Sequence, residues 1–140
     1  MIILDTNVIS EPMKAQADPA VVAWLDRQSA ETLYLTATNL SEVLTGIELL
    51  PVGRRKNGLS EAMRELLERL FGARFLDFDR EAAVAYAVLV SRAMAKGLAI
   101  SVADGQIAAI AAVHGFIVAT HDTAPFLAVG VPVVNPWGTD

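Results

Sequence analysis

Met1-Ile2-Ile3-Leu4-Asp5-Thr6-Asn7-Val8-Ile9 is the stretch whose reading decides the fold. It is an apolar run that stops on a carboxylate, passes through two small polar residues and turns apolar again. Such a run reads as a short strand buried on both faces, the kind found in parallel sheets. Asp5 then stands at the carboxyl end of the strand, where open α/β sheets place their ligand crevices. A second reading is available locally, because aspartate is also a favoured cap for the helix that follows. The rest of the chain has to decide between them.

Outward from that stretch, strands and helices alternate. A short helix is expected from Asn7 to about Met13. Asp18-Pro19 reads as a cap followed by proline in the first helical position. The helix it opens puts Val21, Val22, Trp24 and Leu25 on an apolar face. Leu33–Thr36 is rich in β-formers and reads as a second strand. The next helix is expected from Thr38 to about Leu50, with Asn39 as cap and Glu42 as the reciprocal acid three residues on. Arg54-Arg55-Lys56-Asn57-Gly58 is the only dense basic cluster and reads as a flexible loop or loose helix start. Ser60 to Phe71 has a clear helical period. A third strand follows at Arg74–Leu76, then a long alanine- and valine-rich helix from Asp79 to Lys96, a plausible dimer or partner surface. Ser101 and Asp104 have capping spacing for a helix ending at His114, where Gly115 stops it. Strands at Phe116–Ala119 and Val131–Val134 complete the pattern. Strands alternating with helices along one chain give a parallel sheet with helices on both faces, a three-layer α/β/α sandwich. At 140 residues the chain fits a single domain spanning residues 1–140.

Composition narrows the function classes. Hydrophobic residues make up 54% and mean hydropathy is +0.43, high for a soluble monomer, so part of the surface is expected to be covered by partners. No apolar stretch approaches the roughly 18 residues of a membrane span; Ile107 to Ala119 is broken by His114 and Gly115. With no cysteine there are no disulfides or thiol metal sites, and Met1 leads straight into the strand without a basic lead-in, so a cytoplasmic location is expected. A net charge of −5 argues against binding nucleic acid by bulk electrostatics. It does not argue against a nuclease, whose metal-binding carboxylates count as acid until a cation neutralises them.

Placed on this fold, four acids share one edge. Asp5 and Asp122 follow buried strands, while Glu42 and Asp104 fall in the first turns of helices. Each has a local explanation as a cap or turn former. Together they repel one another unless a cation is present. Oxygen ligands without cysteine or a committed histidine suit hard cations, Mg²⁺ or Mn²⁺, and metal-assisted phosphodiester hydrolysis follows.

The four segments Leu4-Asp5-Thr6-Asn7-Val8, Ser41-Glu42-Val43, Val102-Ala103-Asp104-Gly105-Gln106-Ile107-Ala108-Ala109 and Ala119-Thr120-His121-Asp122 resemble the acidic motifs of the PIN-domain ribonucleases. Their order and separation are similar to VapC-type toxins, the FitB-like subgroup in particular. The resemblance covers essentially the whole chain. It implies a PIN-like fold and Mg²⁺-dependent cleavage of RNA, with Asp5, Glu42, Asp104 and Asp122 as metal-binding and catalytic acids. Thr6 and Thr120 match hydroxyl positions that support the acids. His121 stands where the family often carries a basic residue. It further implies a homodimer and a cognate antitoxin protein that blocks the crevice. Arg54, Arg55 and Lys56 are candidates for contact with the RNA backbone.

The histidine and tryptophan side chains have plainer readings. His114 fits a helix end, where an imidazole meets the last carbonyls; Trp24 and Trp137 fit packing. Two competing functions remain. A haloacid-dehalogenase-like phosphotransferase needs a second acid two residues after its nucleophile, and Asn7 holds that position. A catalytically silent protein-binding module would be favoured by loss of an acid, yet all four are present.

Overall fold

In the computed structural model, which describes residues 1–138, five short parallel strands form one sheet: β1 Ile2–Leu4, β2 Leu33–Thr36, β3 Phe75–Leu76, β4 Ile117–Ala119 and β5 Val133–Val134. Their order across the sheet is β3-β2-β1-β4-β5. Register is set by Ile3 opposite Tyr34 on one side and opposite Val118 on the other. Seven helices cover the sheet: α1 Thr6–Ser10, α2 Pro19–Asp26, α3 Ala37–Glu48, α4 Arg54–Phe71, α5 Arg80–Ala95, α6 Val102–His114 and α7 Ala124–Ala128. Among the described residues no helix is long and apolar enough to cross a membrane.

Alternation along the buried strands sorts their side chains into two cores. Leu4, Leu33, Leu35 and Ala119 join Val8, Val21, Leu25, Val43, Leu66 and Phe71 of α1 to α4 on one face. Ile3 and Val118 join Ala82, Ile107, Ile110, Ala111 and Phe126 of α5 to α7 on the other. Period two in the strands thus feeds both faces, as a sheet covered on both sides requires. The expected α/β/α sandwich is the observed one.

Several boundaries differ from expectation for identifiable reasons. α3 is capped by Thr36, whose hydroxyl accepts the Asn39 amide at 3.0 Å, so Asn39 is a buried helical residue and not the cap. Glu42 consequently falls in the second turn. The basic cluster is helical: α4 begins at Arg54, and Lys56 Nζ donates to the Glu48 carbonyl at 2.9 Å, tying the start of α4 to the end of α3. α7 was not expected; its five residues are too short to display a period. Asp18 and Asp79 are caps as read, accepting amides of Ala20 and Ala82 at 2.9 Å. Gly115 ends α6 in the left-handed conformation, with His114 beside Phe116 at 5.4 Å between ring centroids.

The helices α5 and α6 approach closely at Gly105, where an added Cβ would lie 2.6 Å from Tyr86 Cε2 and 3.2 Å from Val90 Cγ2. This contact positions the first turn of α6, which carries Asp104. Gly105→Val is expected to destabilise the fold by about 1–3 kcal/mol through overpacking, read as a lowered midpoint in urea unfolding.

A candidate acidic active site at the sheet switch point

Because β1 lies between β2 and β4, connections leave it in opposite directions on either side: β1 leads to β2, while β4 leads to β5. A doubly wound sheet opens a crevice outside the carboxyl ends of the strands at such a point. Asp5 follows β1 and Thr120-His121-Asp122 follow β4, so the fold delivers both segments to that crevice.

Asp5 is buried at 6% exposure and lies at the centre of a closed hydrogen-bond group. Oδ1 accepts the Thr6 amide at 2.8 Å and Asn39 Nδ2 at 3.1 Å; Oδ2 accepts the Thr120 hydroxyl at 2.8 Å. Asp5 caps α1, as its local reading has it, and it stands directly after β1 at the carboxyl edge of the sheet. Of the buried polar residues, Asp5, Thr36, Asn39 and Thr120 belong to this one group. The Asn39 orientation is fixed chemically: its Oδ1 accepts the Thr36 hydroxyl, which leaves Nδ2 to donate towards Asp5 and Thr6 Oγ1 at 3.2 Å. Thr6 Oγ1 in turn donates to Glu42 Oε1 at 2.8 Å, which ties the exposed Glu42 to the buried aspartate.

Asp104 enters from the first turn of α6, where the Ser101 hydroxyl accepts its amide at 3.1 Å. A bond from Thr38 Oγ1 to Gln106 Oε1 at 2.9 Å holds the start of α6 against the start of α3. Burial pushes the Asp104 carboxyl above the ordinary aspartate range, and the negative charges of Asp5 and Asp122 push it in the same direction. Burial also raises Asp5, with Glu42 adding to the effect, against the lowering influence of its hydrogen-bond donors. The four acids are therefore electrostatic neighbours, linked through Glu42 to Asp5, Asp5 to Asp104 and Asp104 to Asp122. Asp122 is exposed, with its amide on Thr120 Oγ1 at 3.1 Å.

Among the described residues no three acidic or histidine side chains close up tightly enough to enclose an ion by themselves. The cluster is open. Its donor chemistry still fits an oxygen-preferring cation that keeps several of its own waters, as Mg²⁺ does. Raised carboxyl pKa values record repulsion and burial that such a cation would relieve.

A sequence description of the PIN domain matches residues 2–131. The chain belongs to the PIN-domain family. Within it, the chain is 47% identical over 137 residues to the toxin FitB of Neisseria gonorrhoeae, covering 98% of this chain and 99% of that one. It is 49% identical over 138 residues to the VapC ribonuclease Y4jK of Sinorhizobium fredii, covering 98% of each. The plasmid stability protein StbB of Pseudomonas syringae is 48% identical over 137 residues, covering 98% of this chain and 99% of that one. The solved FitAcB structure from N. gonorrhoeae matches with a TM-score of 0.94 at 46% identity, covering 99% of this chain and all of that one. At 22% identity, VapBC2 of Rickettsia felis shares the fold, with a TM-score of 0.81.

The remaining residues expected at the site divide. Thr6 and Thr120 are in the hydrogen-bond group. His121 is exposed at the crevice, its amide donating to Asn7 Oδ1 at 3.2 Å and its ring stacked on Trp137. Arg54 and Arg55 are exposed at the start of α4, beyond the end of α3 that carries Glu42, and Lys56 is engaged on Glu48. Sequence reasoning missed Asn39 and Asn7. The signal for Asn39 was the Thr36-x-x-Asn39 spacing, which places a cap one turn before the one expected. Because Asn39 orients Asp5 and Thr6 together, Asn39→Ala is expected to lower cleavage or metal affinity by roughly 10–100-fold while the helices persist, measured by activity assay beside circular dichroism.

Proposed function

We propose that this PIN-domain protein is a divalent-metal-dependent endoribonuclease and the toxin of a toxin–antitoxin pair. The observation that carries the reading is the buried Asp5 at the switch-point crevice, electrostatically coupled to Asp104 and Glu42 and held by hydrogen bonds that fix its orientation. The chain's similarity to a VapC ribonuclease and to the toxin FitB supports it.

Asp5 and Asp104 would be the principal holders of Mg²⁺ or Mn²⁺, with Glu42 and Asp122 direct or water-mediated. A bound ion of this kind supplies a water of lowered pKa and neutralises phosphate charge. The chain contributes the rest. Thr120 and Asn39 keep both Asp5 oxygens in place, Thr6 steers Glu42, and Thr38 with Gln106 holds α3 and α6 at a fixed separation. The phosphotransferase alternative loses its acid–base position, because Asn7 donates to Thr120 Oγ1 at 3.4 Å and accepts the His121 amide.

Exposed apolar residues support two partners. Val84 and Val88, one turn apart on α5, are exposed and suit contact with a second copy of the chain, as do the exposed Met94, Leu98 and Val102. A groove of about 470 Å³ between α3 and α4, lined by Leu40, Leu44, Ile47, Leu67 and Phe75, suits an apolar segment of the antitoxin. Arg54 and Arg55 would meet RNA phosphates beyond a shallow groove of about 270 Å³ that runs from Thr6 and Glu42 to Leu59 and Met63. Replacing both arginines with glutamine is expected to reduce the salt dependence of RNA binding by about one to two released counterions, read as the slope of log affinity against log salt.

Incubating the purified chain with single-stranded RNA tests the reading. Cleavage in Mg²⁺ that stops in EDTA is the expected result. Uncut RNA in Mg²⁺ points to a binding module.

A further inference from the structure

Beside the segments that carry Asp5 and Asp122 lies a cleft of about 600 Å³, lined among others by Asn7, Ser10, Lys14, Gln16, His121 and Trp137. The order of the sheet explains its position. β5 lies beside β4, so the residues after β5 run alongside those after β4. Trp137, its amide on Asn135 Oδ1 at 3.0 Å, thereby meets His121. The two rings stack with centroids 4.4 Å apart and planes 18° from parallel. The opposite wall is the loop from Lys14 to Asp18, shaped by Glu11. This carboxylate is buried, accepts the Asp18 amide at 2.9 Å and pairs with Lys14 Nζ at 3.0 Å, and has no part in the catalytic group. The Lys14 side chain is 64% exposed, so its ammonium remains open to a further anion. Asn7 joins the two spaces, bonded to Thr120 on one side and lining the cleft on the other.

We propose that this cleft seats the unpaired nucleotide next to the scissile phosphate, its base against the His121–Trp137 pair and its outer phosphate towards Lys14. The proposal rests on the nuclease reading and adds a subsite to it. Three observations support a nucleotide over another occupant. The cleft's Asn7 and His121 adjoin the segments that carry Asp5 and Asp122, Asn7 reaching Asp5 through the Thr120 hydroxyl, and its volume is within the range of about 300–1,000 Å³ of small-molecule sites. Its wall offers a stacked aromatic surface and a cation, the pairing by which proteins hold single-stranded RNA. With a net charge of −5, the chain lacks a bulk field to hold RNA, so local contacts of this kind have to supply the grip.

A Trp24→Phe background leaves Trp137 as the sole tryptophan. In that background, adding a short mixed-sequence single-stranded RNA in EDTA is expected to quench the emission. In Mg²⁺, Trp137→Leu and His121→Ala are expected to raise KM for the same RNA by on the order of tenfold, and Trp137→Phe to restore most of the loss. Trp137 also packs on the core, so melting curves accompany the variants, and the exposed His121 keeps the test open if Trp137→Leu unfolds. Unquenched emission, or an unchanged KM in folded His121→Ala, overturns the subsite. RNA that quenches Trp137 but is not cut in Mg²⁺ refutes the nuclease reading and leaves a nucleotide-binding cleft with no scissile phosphate beside it.

Discussion

Asp5→Asn is expected to lower kcat/KM for RNA cleavage by roughly 10³-fold or more, with the fold intact. A cation at such a site supplies several kcal/mol of transition-state charge stabilisation, and each 1.36 kcal/mol is tenfold in rate. Asparagine keeps the size of the side chain and one acceptor for the Thr6 amide, so the cap on α1 largely survives. It loses the charge, and with its oxygen kept on the Thr6 amide and Asn39 it presents an NH2 to Thr120 Oγ1 where an oxygen now accepts. Asp104→Asn should fall in the same range. Glu42→Gln should cost less, roughly 10–100-fold, because Glu42 is exposed and is joined to Asp5 through Thr6. Initial rates on a single-stranded RNA, with circular dichroism as the folding control, measure all three. Wild-type rates in folded Asp5→Asn would contradict the assignment.

The second large effect is on stability. In the metal-free protein the carboxyls of Asp5 and Asp104 lie above the ordinary aspartate value, burial being the main cause for each. The folded state therefore binds these protons more tightly than the unfolded chain does. Their stabilising contribution is fully present below the unfolded pKa and is lost as pH rises through the raised folded values. Above those values, ionising either buried carboxyl without a cation costs the fold stability. Two results follow for thermal unfolding at pH 7. Metal-free Asp104→Asn should melt above the metal-free wild type. Mg²⁺ or Mn²⁺ at about 100 times its dissociation constant should raise the wild-type Tm by roughly 5–10 °C, equivalent to about 2.7 kcal/mol, and should leave Asp104→Asn nearly unmoved. The shift should shrink as pH falls towards the raised carboxyl values, where protons compete with the ion.

The architecture was legible because its strands are short, mostly apolar and followed by turn chemistry, so Ile2–Leu4, Leu33–Thr36 and Ile117–Ala119 stand out without reference to any helix. The placement of three acids was legible by position: Asp5 and Asp122 follow strands and Asp104 lies in the first turn of a helix, places that a parallel sheet puts on one edge, while Glu42 lies one turn further along α3 than expected. What the sequence concealed was hydrogen bonding over long separations. Asn39 reaches Asp5 across 34 residues and Asn7 reaches Thr120 across 113, and no local spacing announces either contact. Asn39 was masked by its own capping chemistry, which fits a helix start equally well. Moving the cap back to Thr36 shifted Glu42 from the first turn to the second. The basic run at Arg54 lacks an apolar period, which disguised the six residues of helix before Ser60. Pro132 has no amide to donate to a ladder, and β5 is correspondingly confined to Val133–Val134.

Anomalous diffraction from crystals of this protein soaked in Mn²⁺ tests the convergence of the acids most directly. A peak about 2.1 Å from carboxylate oxygens of both Asp5 and Asp104, with Glu42 and Asp122 bound directly or through water, is the expected result. An empty crevice at saturating Mn²⁺, or manganese bound elsewhere with Asp5 and Asp104 untouched, would contradict it.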